Sequence, residues 1–221
     1  MPQFTGILLS GGYSRRMGRD KALLELGGRT VIARLGDELS KVAAGTVIAC
    51  GEQEREAYRF LQLPQIIDRY PGCGPLAGLH AALYQAPTEW SVVAACDLPF
   101  ASAEFMRYMM GSVEEPSREL VPNYNGDCLQ VDAVVSVSNS GRVQPLLGLF
   151  HKRVLRVLEE ALQGRRFRVM ECLDALEVLY IPEACFTGGP SGPSPLYNMN
   201  TPEDYAAAVK LVSTPADDSS V

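Results

Sequence analysis

Short apolar runs alternate with helical patterns through the first half of the chain. The runs are apolar at odd and even positions alike and lie at 4–10, 46–50, 65–68 and 91–97. Residues 30–42 have apolar side chains three or four positions apart, which predicts a helix. Strands that are apolar on both faces, each followed by a helix, predict a parallel sheet covered on both sides.

The remaining elements follow from turn and capping residues. Thr201 and Pro202 suit the N-cap and first position of a last helix, and Asp204 lies close to the acid of a capping box. No internal repeat occurs, so the pattern predicts one α/β domain over 1–212, followed by a tail, 213–221, that is too polar to pack. The other predicted elements are helices near 53–62, over 75–86, after Ala101 and over 152–163, two strands within 132–150 around a turn at 139–141, and a strand at 177–181.

Composition and charge restrict the partners and the compartment. A net charge of −6 over 221 residues argues against general adhesion to nucleic acid or to membranes. No apolar run approaches the ~18 residues of a membrane span. The six cysteines are scattered without a C-x-x-C pair, which indicates free thiols in a reducing compartment. We therefore expect a cytoplasmic protein.

Positive charge is nevertheless concentrated near the start of the chain. Residues 7–21 read I-L-L-S-G-G-Y-S-R-R-M-G-R-D-K, in which a glycine pair precedes four basic residues. Gly11 and Gly12 allow a sharp turn that brings backbone N–H groups to a ligand. Arg16 and Lys21 can then reach phosphate oxygens. The stretch matches neither the Walker A loop nor G-x-G-x-x-G, and the alternative is a solvated basic loop.

Three further groups follow predicted strands, where ligands of open parallel sheets bind. Asp97 ends an apolar strand, so it either binds a divalent cation or caps the following turn. The glycine-rich segment 70–78 either offers N–H groups to an anion or a base edge, or is only a loop. Asn198 and Asn200 flank Met199, so their amides point the same way in an extended segment; a local turn is the alternative.

These groups, in this order, resemble the motifs of the molybdenum cofactor guanylyltransferase family. The similar segments are L-S-G-G-Y-S-R-R-M-G-R-D-K, G-P-L-A-G (74–78), C-D-L-P-F (96–100) and N-M-N-T-P-E-D (198–204). The resemblance implies a single-domain, Rossmann-like three-layer sandwich with a mostly parallel sheet, of the nucleotide-diphospho-sugar transferase type. It also implies transfer of GMP from GTP to the terminal phosphate of molybdopterin, with Mg²⁺ as cofactor and pyrophosphate as the second product.

The resemblance further implies residue roles and partners. Cofactor-insertion proteins or molybdoenzymes would receive the product. The incoming phosphate is already an anionic nucleophile, so the reaction needs placement and charge compensation rather than a general base. Arg16, Lys21 and Asp97 would be the catalytic residues, and Asp97 would bind the metal. Asn198 and Asn200 would lie near the pterin substrate. The implied nucleotide contacts are Leu9, Ser10, Gly11, Gly12, Lys21, Asp68, Gly74 and Asp97.

Two alternatives stay open at this point. Related enzymes that transfer CMP tend to carry L-A-A-G, and Gly11 together with G-P-L-A-G favours guanine. A non-catalytic nucleotide-binding protein of the same fold would be expected to lose its phosphate or metal ligands, whereas Arg16, Lys21 and Asp97 are all present. Ser10 replaces the family's usual alanine, and C-G-E-Q (50–53) departs from the asparagine that relatives often have there.

Overall fold

The computed structural model describes residues 2–10, 20–114, 131–186 and 192–213. The strands are β1 (Phe4–Leu9), β2 (Glu25–Leu26), β3 (Arg29–Thr30), β4 (Gly45–Gly51), β5 (Gln65–Ile67), β6 (Trp90–Ala95), β7 (Ala133–Val137), β8 (Val143–His151) and β9 (Val178–Pro182). The α-helices are α1 (Val31–Ser40), α2 (Pro75–Gln85), α3 (Ala103–Glu114), α4 (Leu155–Gln163), α5 (Val169–Leu173) and α6 (Pro202–Ser213). Short 3-10 helices cover Lys21–Leu23, Glu56–Leu61, Lys152–Val154 and Glu183–Cys185.

Seven strands form one mostly parallel sheet in the order β5-β4-β1-β6-β8-β7-β9. β1 pairs in parallel with both β4 and β6, so that Leu8 lies opposite Ile48 on one side and Ala94 on the other. β8 runs antiparallel to its neighbours β6 and β7, which places the β7–β8 turn beyond the carboxyl end of β6. The carboxyl ends of β5, β4, β1 and β6 therefore share one edge, as the sequence predicts.

Helices cover both faces of this sheet, which explains why its strands are apolar at successive positions. Leu8 of β1 faces the layer of α1, α3 and α6, whereas Ile7 faces the layer of α2, α4 and α5. Leu35 of α1 and Leu79 of α2 are fully buried in these two layers. A leucine buried in this way stabilises the fold by about 2 kcal/mol relative to an exposed one. The predicted three-layer α/β architecture is confirmed.

Some predicted elements differ in type or were missed. The helix predicted near 53–62 is a 3-10 helix over Glu56–Leu61, and it ends at Gln62 in the left-handed conformation (φ 53°). β2 and β3 were missed because strands of two residues leave no readable alternation. The five-residue α5 was missed for the same reason of length. The capping box is confirmed, since Thr201 Oγ1 accepts from Asp204 N at 3.1 Å and Asp204 Oδ2 accepts from Thr201 N at 2.8 Å.

Other expectations concern the ends and the cysteines. The predicted tail begins inside α6, whose last residue is Ser213, and positions 214–221 lie outside the described residues. The single-domain division over 1–212 stays a prediction. Within the described ranges no helix has the length and apolarity needed to cross a bilayer. The cysteines that the structure describes are free thiols, as predicted: Cys50, Cys73, Cys96, Cys172 and Cys185.

Candidate functional site

The carboxyl ends of the central strands are tied side by side. Leu9 ends β1, and its carbonyl accepts a hydrogen bond of 3.0 Å from Cys96 N, just beyond β6. The next residue, Ser10, donates from both its backbone N and its Oγ to the Ala49 carbonyl of β4, at 3.1 and 3.2 Å. Leu9 and Ser10, two of the predicted nucleotide contacts, are buried where β4, β1 and β6 end.

The glycine-rich and basic segment follows directly in sequence, but its residues lie outside the described ranges. The residues that are not described here are 11–19, and they include the predicted contacts Gly11, Gly12 and Arg16. The described chain resumes one residue before Lys21. Lys21 is therefore the member of the predicted basic group whose position the structure gives.

Lys21 contacts the asparagine motif from the other end of the chain. Its Nζ donates to Asn200 Oδ1 at 2.8 Å. Asn200 Nδ2 in turn donates to Asn198 Oδ1. Both amides therefore lie on one side of the segment, as the extended interpretation predicts, and Asn200 contacts the lysine directly.

The asparagine segment is fixed to the end of β6. Met199 is fully buried, and its backbone N donates to the Asp97 carbonyl at 2.7 Å. Asp204 in α6 accepts from the backbone N of Asn200 and of Thr201, each at 2.8 Å. These two hydrogen bonds lower the pKa of Asp204. The segment thus brings residues near 200 to Lys21 and Asp97.

Asp97 has an environment that suits a cation. Its Oδ1 is fully buried and has no hydrogen-bond partner among the described residues. Burial raises the pKa of Asp97, while the positive charges of Lys21 and Arg142 act in the opposite direction. A buried carboxylate oxygen without a donor is unfavourable unless a cation or another polar group compensates it. The position therefore fits a metal ligand better than a plain turn cap.

The described side chains alone would not enclose a metal ion. Those residues contain no group of three or more His, Cys, Asp or Glu side chains placed to hold one. Mg²⁺ is commonly bound by one or two carboxylates, with substrate phosphates and water completing its six ligands. One carboxylate beside a phosphate site therefore fits Mg²⁺ delivered with a nucleotide.

A second polar group lies at the end of the edge strand β5. Asp68 N donates to the Gly51 carbonyl at 2.9 Å, which fixes Asp68 just beyond β4. Burial and the nearby carboxylate of Glu52 raise the pKa of Asp68 to about 6. Its Oδ1 is buried without a hydrogen-bond partner among the described residues. This oxygen is available to a donor such as a base edge.

Two glycines of the segment 70–78 differ in the space around them. Gly74 is the N-cap of α2 and has a positive φ of 69°, and an added Cβ would meet no atom within 4 Å. A Cβ on Gly78 would lie 3.5 Å from Asp68 Oδ1 and 3.4 Å from Leu9 Cδ2. The turn at Gly74 is therefore open, whereas α2 packs closely against Asp68 and Leu9 at Gly78.

A separate cleft of about 690 Å³ lies beside this site rather than in it. It is bounded by residues of α1, by 99–104 and by 192–195, and neither Lys21 nor Asp97 lines it. Its charged residues include both signs, such as Arg34 and Glu38. We place the site where Lys21, Asp97 and Asn200 come together, because their charges and hydrogen-bonding groups complement one another.

Several residues at the site were not found from the sequence. Asp20 accepts from Arg55 Nη1 at 3.1 Å and from the Tyr58 hydroxyl at 2.7 Å. Arg142 follows the β7–β8 turn and lowers the pKa of Asp97. The available signal for Asp20 was its residue type, since Asp before a helical turn is a common N-cap. No local pattern distinguished Arg55 or Tyr58.

The fold and these groups define a class of protein. An open, mostly parallel sheet that presents a lysine, a buried carboxylate and a glycine turn at its carboxyl edge is a nucleotide-binding α/β domain. The lysine and the carboxylate are suited to phosphates and to a divalent cation. The site thus indicates chemistry on a phosphorylated nucleotide.

Comparisons with known proteins identify the family. Residues 6–177 match the family model of the MobA-like NTP transferase domain. The chain is 35% identical over 209 residues to a probable molybdenum cofactor guanylyltransferase of Pelotomaculum thermopropionicum, covering 94% of this chain and 93% of the relative. It is 32% identical to a protein of the same name in Carboxydothermus hydrogenoformans, covering 96% and 98%.

A solved structure agrees with this assignment. The molybdopterin-guanine dinucleotide biosynthesis protein A of Archaeoglobus fulgidus has a TM-score of 0.77 at 26% identity and covers 95% of this chain and 99% of its own. The 4-diphosphocytidyl-2C-methyl-D-erythritol synthase of Anaerococcus prevotii shares the fold at a TM-score of 0.65 and 13% identity. The chain belongs to the MobA-like NTP transferase family and is a nucleotidyltransferase of molybdenum cofactor biosynthesis.

Proposed function

We propose that this protein transfers GMP from GTP to the terminal phosphate of molybdopterin, forming a guanine dinucleotide cofactor and pyrophosphate. The observation that carries the proposal is the convergence of Lys21, Asp97 and Asn200 at one edge of the sheet. The names of the relatives support guanylyl transfer and the molybdenum cofactor as the acceptor.

The reaction makes one P–O bond and breaks one. A phosphate oxygen of molybdopterin attacks the α-phosphorus of GTP, and the bond between the α-phosphorus and the bridging oxygen to the β-phosphate breaks. Pyrophosphate leaves with that electron pair. Lys21 is placed to hold the phosphates, and the hydrogen bond from its amine to Asn200 fixes its direction. Positioning and charge compensation supply most of the catalysis in such a transfer.

Asp97 is the residue that would hold Mg²⁺. Its buried and unpartnered Oδ1 supplies an oxygen ligand at the end of β6. Bound Mg²⁺ would supply compensation for the charge on the phosphates. Asp97 would hold the cation, and Lys21 would contact the phosphates directly.

The base and the pterin are assigned to opposite ends of the site. Asp68 has a free buried oxygen that suits the N–H donors of a guanine edge, and the open turn at Gly74 leaves space for the base. The ends of β5 and β6 are separated by three strand spacings, about 14 Å, so a nucleotide can lie across them. Asn198 and Asn200 would contact the pterin side, beside the reacting phosphates.

Partners and compartment follow from this proposal. The substrates are GTP and molybdopterin, and the product would pass to insertion proteins or to molybdoenzymes. We place the reaction in the cytoplasm, because the described cysteines are free thiols, which is typical of a reducing compartment.

Nucleotide binding tests the proposal. Isothermal calorimetry with Mg²⁺ compares GTP, CTP and ATP on the wild-type protein and on Lys21→Ala. We expect clear preference for GTP and weaker GTP binding by the variant. Preference for CTP would assign the protein to cytidylyl transfer, and failure to bind any of the three nucleotides would contradict the enzymatic proposal.

A further inference from the structure

Asp20, the residue before Lys21, accepts hydrogen bonds at both oxygens of its carboxylate. Asp20 Oδ1 accepts from Ala22 N at 3.0 Å and so caps the 3-10 helix that begins with Lys21. Asp20 Oδ2 accepts from the Tyr58 hydroxyl at 2.7 Å and from Arg55 Nη1 at 3.1 Å. One carboxylate thus connects the first turn containing Lys21 to the 3-10 helix after β4.

Arg55 is itself fixed in place from two directions. Its Nε donates to the Cys50 carbonyl in β4 at 3.2 Å. Its backbone N donates to Gln65 Oε1 at 2.7 Å, and its backbone carbonyl accepts from Gln65 Nε2 at 3.0 Å. β4 and β5 therefore hold the backbone from which the Arg55 guanidinium reaches Asp20. A side chain fixed in this way can hold its hydrogen-bond partner at a defined position.

Tyr58 provides the second contact from inside the core. Its side chain is fully buried in the same hydrophobic cluster as Leu8 of β1, and its hydroxyl donates to Asp20 Oδ2. Tyr58 therefore connects the core beneath β1 to the residue that precedes Lys21.

We infer that Arg55 and Tyr58 are positioning residues that set the location of the Lys21 amine through Asp20. Both residues contact the Asp20 carboxylate, which caps the turn that begins with Lys21. The inference rests on the proposed function, because it assigns these contacts to a lysine that holds the phosphates of GTP.

The ion pair between Arg55 and Asp20 is much less exposed than a second ion pair on the same 3-10 helix. The Arg55 and Asp20 side chains are only 23% and 22% exposed, whereas Arg59 and Glu56 on the same 3-10 helix pair at 66% and 87% exposure. An exposed pair contributes little to stability and orders little around it. The Arg59 pair therefore provides a matched control on the same element.

A double-mutant cycle tests the inference. Dissociation constants for GTP with Mg²⁺ are measured up to millimolar nucleotide for Arg55→Ala, Arg55→Lys, Tyr58→Phe and the control Arg59→Ala, each in the wild-type and the Lys21→Met background. We expect Arg55→Ala and Tyr58→Phe to weaken binding about tenfold and about threefold when Lys21 is present. In the Lys21→Met background, both effects should shrink to less than about twofold. Arg59→Ala should change neither.

The outcomes separate this inference from the proposed function. If Lys21→Met weakens GTP binding but Arg55→Ala and Tyr58→Phe cost the same in both backgrounds, the two residues are structural and the inference is wrong. If Lys21→Met leaves GTP binding unchanged, the phosphate role of Lys21 fails, and the inference fails with it. Melting curves identify folded variants, and Tyr58→Phe, which keeps the buried ring, decides the question if Arg55→Ala does not fold.

Discussion

The Lys21 amine donates to the Asn200 side-chain oxygen at 2.8 Å, across 179 residues of sequence. This contact joins the first and last motifs of the chain and places both beside Asp97, whose carbonyl binds Met199 N at 2.7 Å. A lysine that is oriented before substrate arrives loses less freedom when it binds phosphate. In the proposed function, the contact therefore connects the fold of the C-terminal segment to nucleotide binding.

Asn200→Ala tests that connection. Removing the amide leaves Lys21 without its acceptor at position 200, so we expect GTP binding with Mg²⁺ to weaken about three- to tenfold. Calorimetry measures the change, and Gln163→Ala, an exposed change at the end of α4, serves as control. Equal affinity of Asn200→Ala and wild type would show that Asn200 does not orient the lysine.

Asp97→Asn separates catalysis from stability. The amide keeps the shape but removes the charge that we propose binds Mg²⁺, so we expect turnover to fall at least about 100-fold. We expect the melting temperature to stay the same or to rise, because burial disfavours the ionised carboxylate at this position. Turnover of the wild type should increase with added Mg²⁺. A variant with wild-type turnover would exclude Asp97 as the metal ligand.

Asp68→Asn tests the electrostatics at the end of the site that we propose for the base. The pKa of Asp68 is raised from 3.8 to about 6, so ionisation costs stability progressively between these two pH values and fully above them. The variant should therefore be more stable than wild type at pH 8, by on the order of 2 kcal/mol, and equally stable below pH 4. Denaturant titrations at both pH values measure this. Asp174→Asn, the same substitution at an exposed position, serves as control.

Asp204→Ala tests how the asparagine segment is held. The carboxylate accepts from the backbone N of Asn200 and of Thr201, and its loss should lower the free energy of unfolding by about 1–2 kcal/mol. Asp204→Asn keeps an acceptor oxygen and should lose less. Chemical denaturation measures both variants. If alanine and asparagine behaved alike at the wild-type level, the cap would contribute nothing to stability.

The sequence predicts the sheet and its ligand edge because burial on both faces leaves a local signature. β1, β4 and β6 are continuous apolar runs, and the residues that follow them, such as Asp97, are readable from position alone. The capping box of α6 was also readable, because its partners Thr201 and Asp204 are three residues apart. Local signals of sufficient length, such as these, were enough for prediction.

The rest depends on contacts between distant segments. Nothing near Arg55 or Tyr58 indicates that they meet Asp20, because these contacts span 35 and 38 residues and depend on how the 3-10 helix after β4 returns to the sheet. The same helix was predicted as an α-helix, although Gln62 ends it in the left-handed conformation. The burial of the Asp97 side-chain oxygen likewise arises only when the chain folds, so no local pattern in the sequence indicates it.

Product identification tests the central claim most directly. The protein is incubated with GTP, Mg²⁺ and molybdopterin, and the products are analysed by mass spectrometry, with CTP and ATP in parallel and Asp97→Asn as the inactive control. We expect a molybdopterin–GMP conjugate and pyrophosphate in equal amounts from GTP, and little conjugate from CTP or ATP. A CMP conjugate formed in preference, or no conjugate from a folded protein that binds GTP, would contradict guanylyl transfer.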